Sequence, residues 1–221
     1  MTAGPSAAVT DPPERPGEAG TASRAVAAFG RRIGPGRELA DRAGEIANAA
    51  HAMAVRFHQG GKLVVFGIGG AAADAQHVAV EFVHPVIVGK RALPAISLTS
   101  DAATVTGVAA HEGLASVFSH QIRYLGEPAD IALGIALEEN CPSVLAGLRA
   151  GSDLGMLTVA LVAGTGTGSA VAGERLDHLL AAGSADPRIV KEIHVSTYHL
   201  LWELVHVFFE QPGVLGPGVV T

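Results

Sequence analysis

The chain predicts an α/β fold in which a parallel sheet is covered by helices on both faces. Short, wholly apolar runs at 63–66, 131–136 and 156–162 alternate with stretches of helical periodicity. Strands buried on both faces read as continuous Val/Leu/Ile runs, the signature of parallel sheets. The composition agrees: 48% hydrophobic, 28 glycines and only 5% aromatic residues suit a tightly packed domain with close helix–sheet contacts.

Residues 1–22 collect Pro5, Pro12, Pro13 and Pro16 among glycine, alanine and charge, and read as a disordered leader. From 23 to 58 apolar residues recur at helical spacing (Val26, Phe29, Ile33, then Leu39, Ala43, Ile46, Ala50, Met53, Phe57), which predicts two helices with a break at Gly34, Pro35 and Gly36. Then come a strand at 63–66, a helix at 71–83, a strand at 95–98 and helices at 102–109 and 114–124. A strand at 131–136, a helix at 142–150, a strand at 156–162 and a weaker strand at 179–182 complete a five-stranded sheet. The last helix, 187–209, is amphipathic and begins with Pro187, tolerated in a first turn. Residues 23–210 thus read as one domain and 211–221, with Pro212 and Pro217, as a flexible tail. Ligands gather outside the carboxyl ends of parallel strands, here 67–71, 99–101, 136–140 and 163–168.

A net charge of -6 gives no basic footprint for nucleic acid. No apolar run has the length of a membrane span, so no membrane role is expected. The single cysteine, Cys141, excludes an intramolecular disulfide and a cysteine-rich zinc site and fits the cytoplasm. At 16% charged residues the surface is poor in charge for a soluble monomer, which points to a homo-oligomer.

Two helical stripes carry metal-ligating side chains. His77, Glu81 and His84 stand four and three apart on one helix face, and His199, Glu203 and His206 repeat that spacing on the last helix. Imidazoles beside a carboxylate suit zinc or another divalent metal; the same pattern also serves half-buried, hydrogen-bonded interface histidines. The turn Gly67, Ile68, Gly69, Gly70 lacks the Lys-Ser/Thr of a nucleotide loop; it either approaches an anion or allows close packing. Ser100 and Asp101 end a strand, as ligand contacts or as a helix cap. Gly164 to Gly168 reads as a flexible linker, and Lys90 with Arg91 as an anion rim or as solvated loop charge.

Four segments, Leu-Val-Val-Phe-Gly-Ile-Gly-Gly, Asp-Ala-Gln-His-Val-Ala-Val-Glu-Phe, Leu-Pro-Ala-Ile-Ser-Leu-Thr-Ser-Asp and Lys-Glu-Ile-His-Val-Ser-Thr-Tyr-His, follow two leading helices in this order. In that order and spacing the chain resembles the sugar isomerase (SIS) fold and, more narrowly, the phosphoheptose (sedoheptulose 7-phosphate) isomerase family, over about residues 25–210. The resemblance implies a three-layer sandwich around a five-stranded, flavodoxin-like parallel sheet, assembled as a homotetramer. It also implies His77, Glu81 and His199 as metal ligands, with Glu81 and His199 as the acid/base pair. The family's fourth ligand, a Gln, falls on Lys191, which has no lone pair for a metal and is expected to pair with Glu81 in an emptied site.

Other positions depart from the family. Ile68 and Ala71 replace its Asn and Ser at the glycine turn, His111 replaces an Asp, and Pro85 replaces an Arg. Its Ser/Thr phosphate cradle falls on Ala136, Leu137, Glu138, Glu139, Asn140 and Cys141. Each carboxylate near 4 Å from a phosphate opposes it by about 1 kcal/mol in water and about 4 at an effective dielectric of 20. Gly67, Gly69, Gly70, Ser100, Asp101, Glu138, Glu139, Asn140 and Lys191 are then expected to line a repurposed pocket. The expected function is a homo-oligomeric, non-catalytic binding or scaffold protein with a candidate protein partner. The alternative is a metal-dependent isomerase or lyase acting on a sugar-like or non-phosphorylated substrate; an orthodox sedoheptulose 7-phosphate isomerase stands third, opposed by the glutamates in the cradle.

Overall fold

A computed structural model describes residues 18–165, 175–211 and 213–216. Its elements are α1 (Glu18–Asp41), α2 (Ala43–His58), β1 (Leu63–Gly67), α3 (Gly70–Val83), β2 (Ala95–Ser97), α4 (Ala102–Glu112), a 3-10 turn (Leu114–Ser116), α5 (Val117–Leu125), β3 (Ile131–Ile135), α6 (Pro142–Asp153), β4 (Leu157–Val162), β5 (His178–Ala181) and α7 (Pro187–Phe209). All five strands are parallel in the order β2-β1-β3-β4-β5. This is the predicted α/β sandwich. Of the expected leader, 1–22, residues 1–17 lie outside the described residues, while 18–22 belong to α1; residues 166–174, which include part of the expected linker at 164–168, also lie outside them.

Side chains alternate across the sheet as the pleat dictates. Leu63, Val65, Leu133, Ile135, Val159 and Leu161 pack against α2, α3 and α7, while Val64, Phe66, Ala132, Ala160 and Val162 pack against α5 and α6. Every residue of β1, β3 and β4 is buried, which is why those strands read as unbroken apolar runs.

The entry to the domain differs from the expectation. Gly34, Pro35 and Gly36 do not break the helix; α1 runs through Pro35, and the chain turns instead at Arg42. A proline inside a helix removes one backbone hydrogen bond, whereas Arg42 has a tertiary reason to leave helical geometry. Its guanidinium donates to Ala181 O at 2.8 Å and Leu179 O at 3.1 Å on β5 and to Glu45 Oε2. The chain divides into two units at this point, one ending at Gly34 and the other starting at Pro35. Within that first unit Val26, Phe29 and Ile33 are exposed, at 72%, 72% and 53%. In the expected tail, Val214 O and Gly216 O meet His51 Nε2 and His58 Nε2 at 3.5 and 3.2 Å on α2.

α7 is buried along one face by Ile189, Val190, Ile193, Tyr198, Leu201, Trp202 and Val205. Asp186 caps it, accepting from Arg188 N at 3.1 Å, and Pro187 occupies the first turn. His194 lies within this apolar face at 1% exposure, its Nε2–H donating to Val162 O at 3.1 Å. Its Nδ1 has no partner among the described residues. Burial pushes the His194 pKa down from 6.5 to about 4, against a smaller upward pull from the Val162 carbonyl and Asp74.

Between those two values the unfolded chain binds a proton that the folded chain refuses. The stability from a neutral His194 is therefore complete above about pH 6.5 and is lost as the pH falls toward 4. Urea unfolding is predicted to show about 2 kcal/mol less stability from this group at pH 5 than at pH 7.5. His194→Gln flattens that slope; an unchanged slope in the variant would assign the pH dependence elsewhere.

Candidate functional site

The first metal stripe and the last helix meet. α3 and α7 lie side by side on one face of the sheet, and His77, Glu81 and His199 converge between them. His77 Nε2 is 3.2 Å from Glu81 Oε1, His199 Nε2 is 3.3 Å from the same oxygen, and the two imidazole nitrogens are 3.2 Å apart. The three form the one His/Cys/Asp/Glu group among the described residues that could hold a metal ion. His77 and His199 are nearly half exposed, at 46% and 45%, while Glu81 is more covered at 16%.

Hydrogen bonding alone cannot satisfy this triangle. A carboxylate oxygen only accepts and a neutral imidazole has one N–H, so three mutual contacts leave either two lone pairs or two N–H groups facing one another. A tetrahedral ion with ligands at about 2.0–2.1 Å holds them about 3.3–3.4 Å apart, close to the observed separations. The donor set therefore fits zinc or a similar divalent ion.

The second stripe does not assemble. His206 turns inward at 2% exposure, its Nδ1 2.8 Å from Trp202 O and its Nε2 3.0 Å from Arg91 O. Two carbonyl partners leave it nothing for a metal. Glu203 stays at the surface, and His84 is the exposed C-terminal cap of α3.

Tyr198 forms the floor of the triangle. Its ring centroid lies 5.6 Å from that of His77 and 4.9 Å from that of His199, and the residue is 3% exposed. Burial, then the charges of Asp74 and Glu81, push its phenol pKa well up, so it stays protonated. Trp202 Nε1 donates to Glu81 O at 3.0 Å and ties the end of α3 to α7.

Lys191 does not pair with Glu81 as expected. Its ammonium sits two turns nearer the start of both helices, 2.6 Å from each Asp74 oxygen and 3.0 Å from Gly70 O. Those three contacts use all three donors. Asp74, 6% exposed along its side chain, needs the cation, and i to i+7 spacing places it two turns from Glu81. The substitution of Lys for Gln thus fastens α3 to α7 rather than filling the centre.

The other predicted pocket residues are dispersed. Gly67 ends β1 where a Cβ would lie 2.8 Å from Ile135 O, so this glycine serves close packing. Gly69 precedes α3 with φ 59°, and Gly70 gives its carbonyl to Lys191. Asp101 caps α4, accepting from Ala103 N at 3.0 Å and from Thr104 N at 3.1 Å, and the bonds from Thr104 hold its carboxyl below the usual range. Ser100 and Asp101 line a separate cavity of about 480 Å³ with His120 and Tyr124. Glu138, Glu139 and Asn140 form an exposed loop before α6, with the Glu139 carboxylate laid against Gly164.

The cavity that opens on the triangle extends elsewhere. It measures about 400 Å³ and runs from Glu81 and His199 past Trp202 and Glu203 to Lys90 and Val207, along α7 and away from the strand ends. Tyr198 and Trp202 had no motif to mark them as neighbours of the site, whereas Asp74 stands one turn before His77 on the same stripe and Lys90, read as an anion rim or as solvated loop charge, lines the cavity.

The model of the SIS domain family matches residues 37–163. A phosphoheptose isomerase of Solidesulfovibrio magneticus is 39% identical over 182 residues, 82% of this chain and 87% of that protein. One of Desulfovibrio desulfuricans is also 39% identical, over 81% and 84%. Among solved structures, a phosphoheptose isomerase from Francisella tularensis superposes with a TM-score of 0.79 at 29% identity, covering 85% of this chain and 98% of that one. That of Neisseria gonorrhoeae gives 0.76 at 28% identity, covering 84% and 98%. Relatives this similar over this much of the chain, named as isomerases, overturn the expected non-catalytic scaffold. They equally overturn the alternative of a substrate without phosphate. The altered loop at Glu138 and Glu139 does not outweigh that similarity.

The Lys191–Asp74 tie predicts that Lys191→Met lowers stability by about 2–3 kcal/mol, since a buried carboxylate loses its cation. Asp74→Asn in the same background should recover much of that loss. Denaturant unfolding of the two variants measures it, and equal stability of Lys191→Met and the unaltered chain would remove the role given to this pair.

Proposed function

Because the chain belongs to the SIS domain family and, within it, to the phosphoheptose isomerases, we propose that it interconverts the ketose and aldose forms of a seven-carbon sugar phosphate. The observation that carries this reading is the convergence of His77, Glu81 and His199 within 3.3 Å of one another at the mouth of a cavity.

Isomerisation moves one proton between neighbouring carbons and another between their oxygens. In this reading Glu81 carries the carbon proton; its contacts with the imidazoles are made through Oε1. His199 serves the oxygen side. It reaches the same cavity as Glu81 and is exposed enough to meet substrate. His77, Glu81 and His199 would also hold a divalent ion, zinc or a similar metal, which when bound polarises the substrate carbonyl. Three protein ligands with one position open is the arrangement of catalytic rather than structural zinc sites, and Lys191, its donors all used, does not close the fourth.

The working unit in this reading is a homo-oligomer, a tetramer as in the family resemblance, in the cytoplasm. Val80, Val83, Val86, Ile87 and Val88, at 53%, 49%, 78%, 50% and 100% exposure, leave an apolar border beside the site that a second copy would cover. No helix among the described residues is long and apolar enough to cross a membrane.

Purified protein is predicted to turn over sedoheptulose 7-phosphate in a coupled assay, and Glu81→Gln and His199→Ala each to lower kcat by about 10²–10⁴ with the fold intact by circular dichroism. Absence of turnover in the unaltered, metal-supplemented protein defeats this reading. Elemental analysis is predicted to find about one divalent ion per chain, lost in His77→Ala.

A further inference from the structure

We propose that the cavity at the free edge of β2 binds a small organic cation, an ammonium or guanidinium group carried on an apolar body. This cavity stands on the α5/α6 face of the sheet, whereas the triangle lies between α3 and α7 on the other, so the proposal does not depend on the isomerase reading.

The wall of the cavity offers lone pairs and few hydrogens. Gln121, 5% exposed, donates both amide hydrogens from Nε2, to Leu98 O and to Val117 O, each at 3.1 Å. Only the nitrogen can make those contacts, which fixes the orientation of the carboxamide. Its Oε1 is left without a partner among the described residues, yet it is not sealed from solvent, so it opens into the cavity that Gln121 lines. Thr104 gives its hydroxyl hydrogen to Asp101 Oδ2 at 2.5 Å. Thr99 gives its own to Ala72 O at 3.3 Å, so Ser97 must donate in the 2.7 Å contact between the two hydroxyls. His120 Nδ1 lies 2.7 Å from Glu112 Oε1, and a neutral imidazole held in this way keeps an acceptor at Nε2. On this wall only the hydroxyls of Ser100 and Tyr124 keep a hydrogen to give.

A wall of acceptors selects a ligand rich in N–H donors, and its charge selects a cation. Asp101 is the one acid that lines the cavity, and no lysine or arginine among the described residues lines it. Hydrogen bonds from Thr104 hold the Asp101 carboxyl below the usual range, so it is ionised at neutral pH. The start of α4 carries about half a positive charge, which Asp101 outweighs. Ile96, Leu98 and Leu125 supply an apolar floor, and the Tyr124 ring, 78% exposed, adds an aromatic face on which a cation can rest. At about 480 Å³ the cavity has the size of a small-molecule site rather than of a bare metal ion.

Saturation-transfer NMR on the full chain, supplemented with zinc at pH 7.5, tests this with three probes that share one ring: benzylammonium, benzyl alcohol and benzoate. Benzylammonium is predicted to bind about tenfold more tightly than benzyl alcohol, and benzoate more weakly than either. Asp101→Asn keeps a side chain that caps α4 while removing the charge. It is predicted to weaken benzylammonium about fivefold and to leave benzyl alcohol within about twofold. Tyr124→Ala, at an exposed position, should weaken both. Asp153→Asn removes an equal charge from the exposed end of α6 and should change neither. Equal binding of benzylammonium and benzyl alcohol would overturn the assignment, as would benzylammonium binding that Asp101→Asn leaves unchanged or that Asp153→Asn reduces to the same extent.

Discussion

The site depends on the register of α3 against α7. Three ties at successive levels fix it: Lys191 to Asp74 and Gly70, Trp202 Nε1 to Glu81 O, and His206 Nε2 to Arg91 O just beyond α3. A helix turns about 100° and rises 1.5 Å per residue, so a slip of one position would carry His199 off the face that meets His77 and Glu81. Each tie joins a side chain of α7 to a buried carboxylate or to a backbone carbonyl. Buried groups of this kind cost free energy when left unmet, which makes the correct register the low-energy one. Tyr198, packed between the two imidazoles, fills the space beneath the triangle so that neither ring can fold inward.

The proposed site stands away from the strand ends where open parallel sheets usually bind ligands. The carboxyl ends of β1, β2 and β3 lead into elements that are mostly occupied with structure: Gly67 packs under Ile135, and Asp101 caps α4. The His77, Glu81 and His199 triangle lies instead on the outer groove between two helices. A loop carrying Glu138 and Glu139 is then compatible with an isomerase, because the carboxylates stand apart from the cavity that receives the triangle.

Much of this was legible in the sequence for reasons that are local. Doubly buried strands announce themselves as apolar runs, Pro187 marks the start of α7, and spacings of four and three identify residues sharing a helix face. What stayed hidden depends on tertiary partners. The turn at Arg42 comes from carbonyls of β5, more than a hundred residues away. Lys191 takes Asp74 rather than the expected Glu81; both acids share one stripe, and only the register of the two helices decides between them. His199, Glu203 and His206 matched the first stripe in spacing yet differ in outcome: His199 meets His77 and Glu81 of α3, whereas His206, two turns further on, meets the carbonyls of Trp202 and Arg91. The expectation of a non-catalytic protein fails for a related reason: the substituted loop is visible in the sequence, whereas the distance of that loop from the cavity is not.

The central claim is that α3 and α7 hold His77, Glu81 and His199 as one metal-binding triangle. X-ray absorption at the zinc edge of the zinc-loaded protein tests it most directly. Two imidazole nitrogens and one carboxylate oxygen at about 2.0–2.1 Å are predicted, with the imidazole scattering reduced in His199→Ala. A shell without imidazole, or one that His77→Ala and His199→Ala both leave unchanged, would contradict the account.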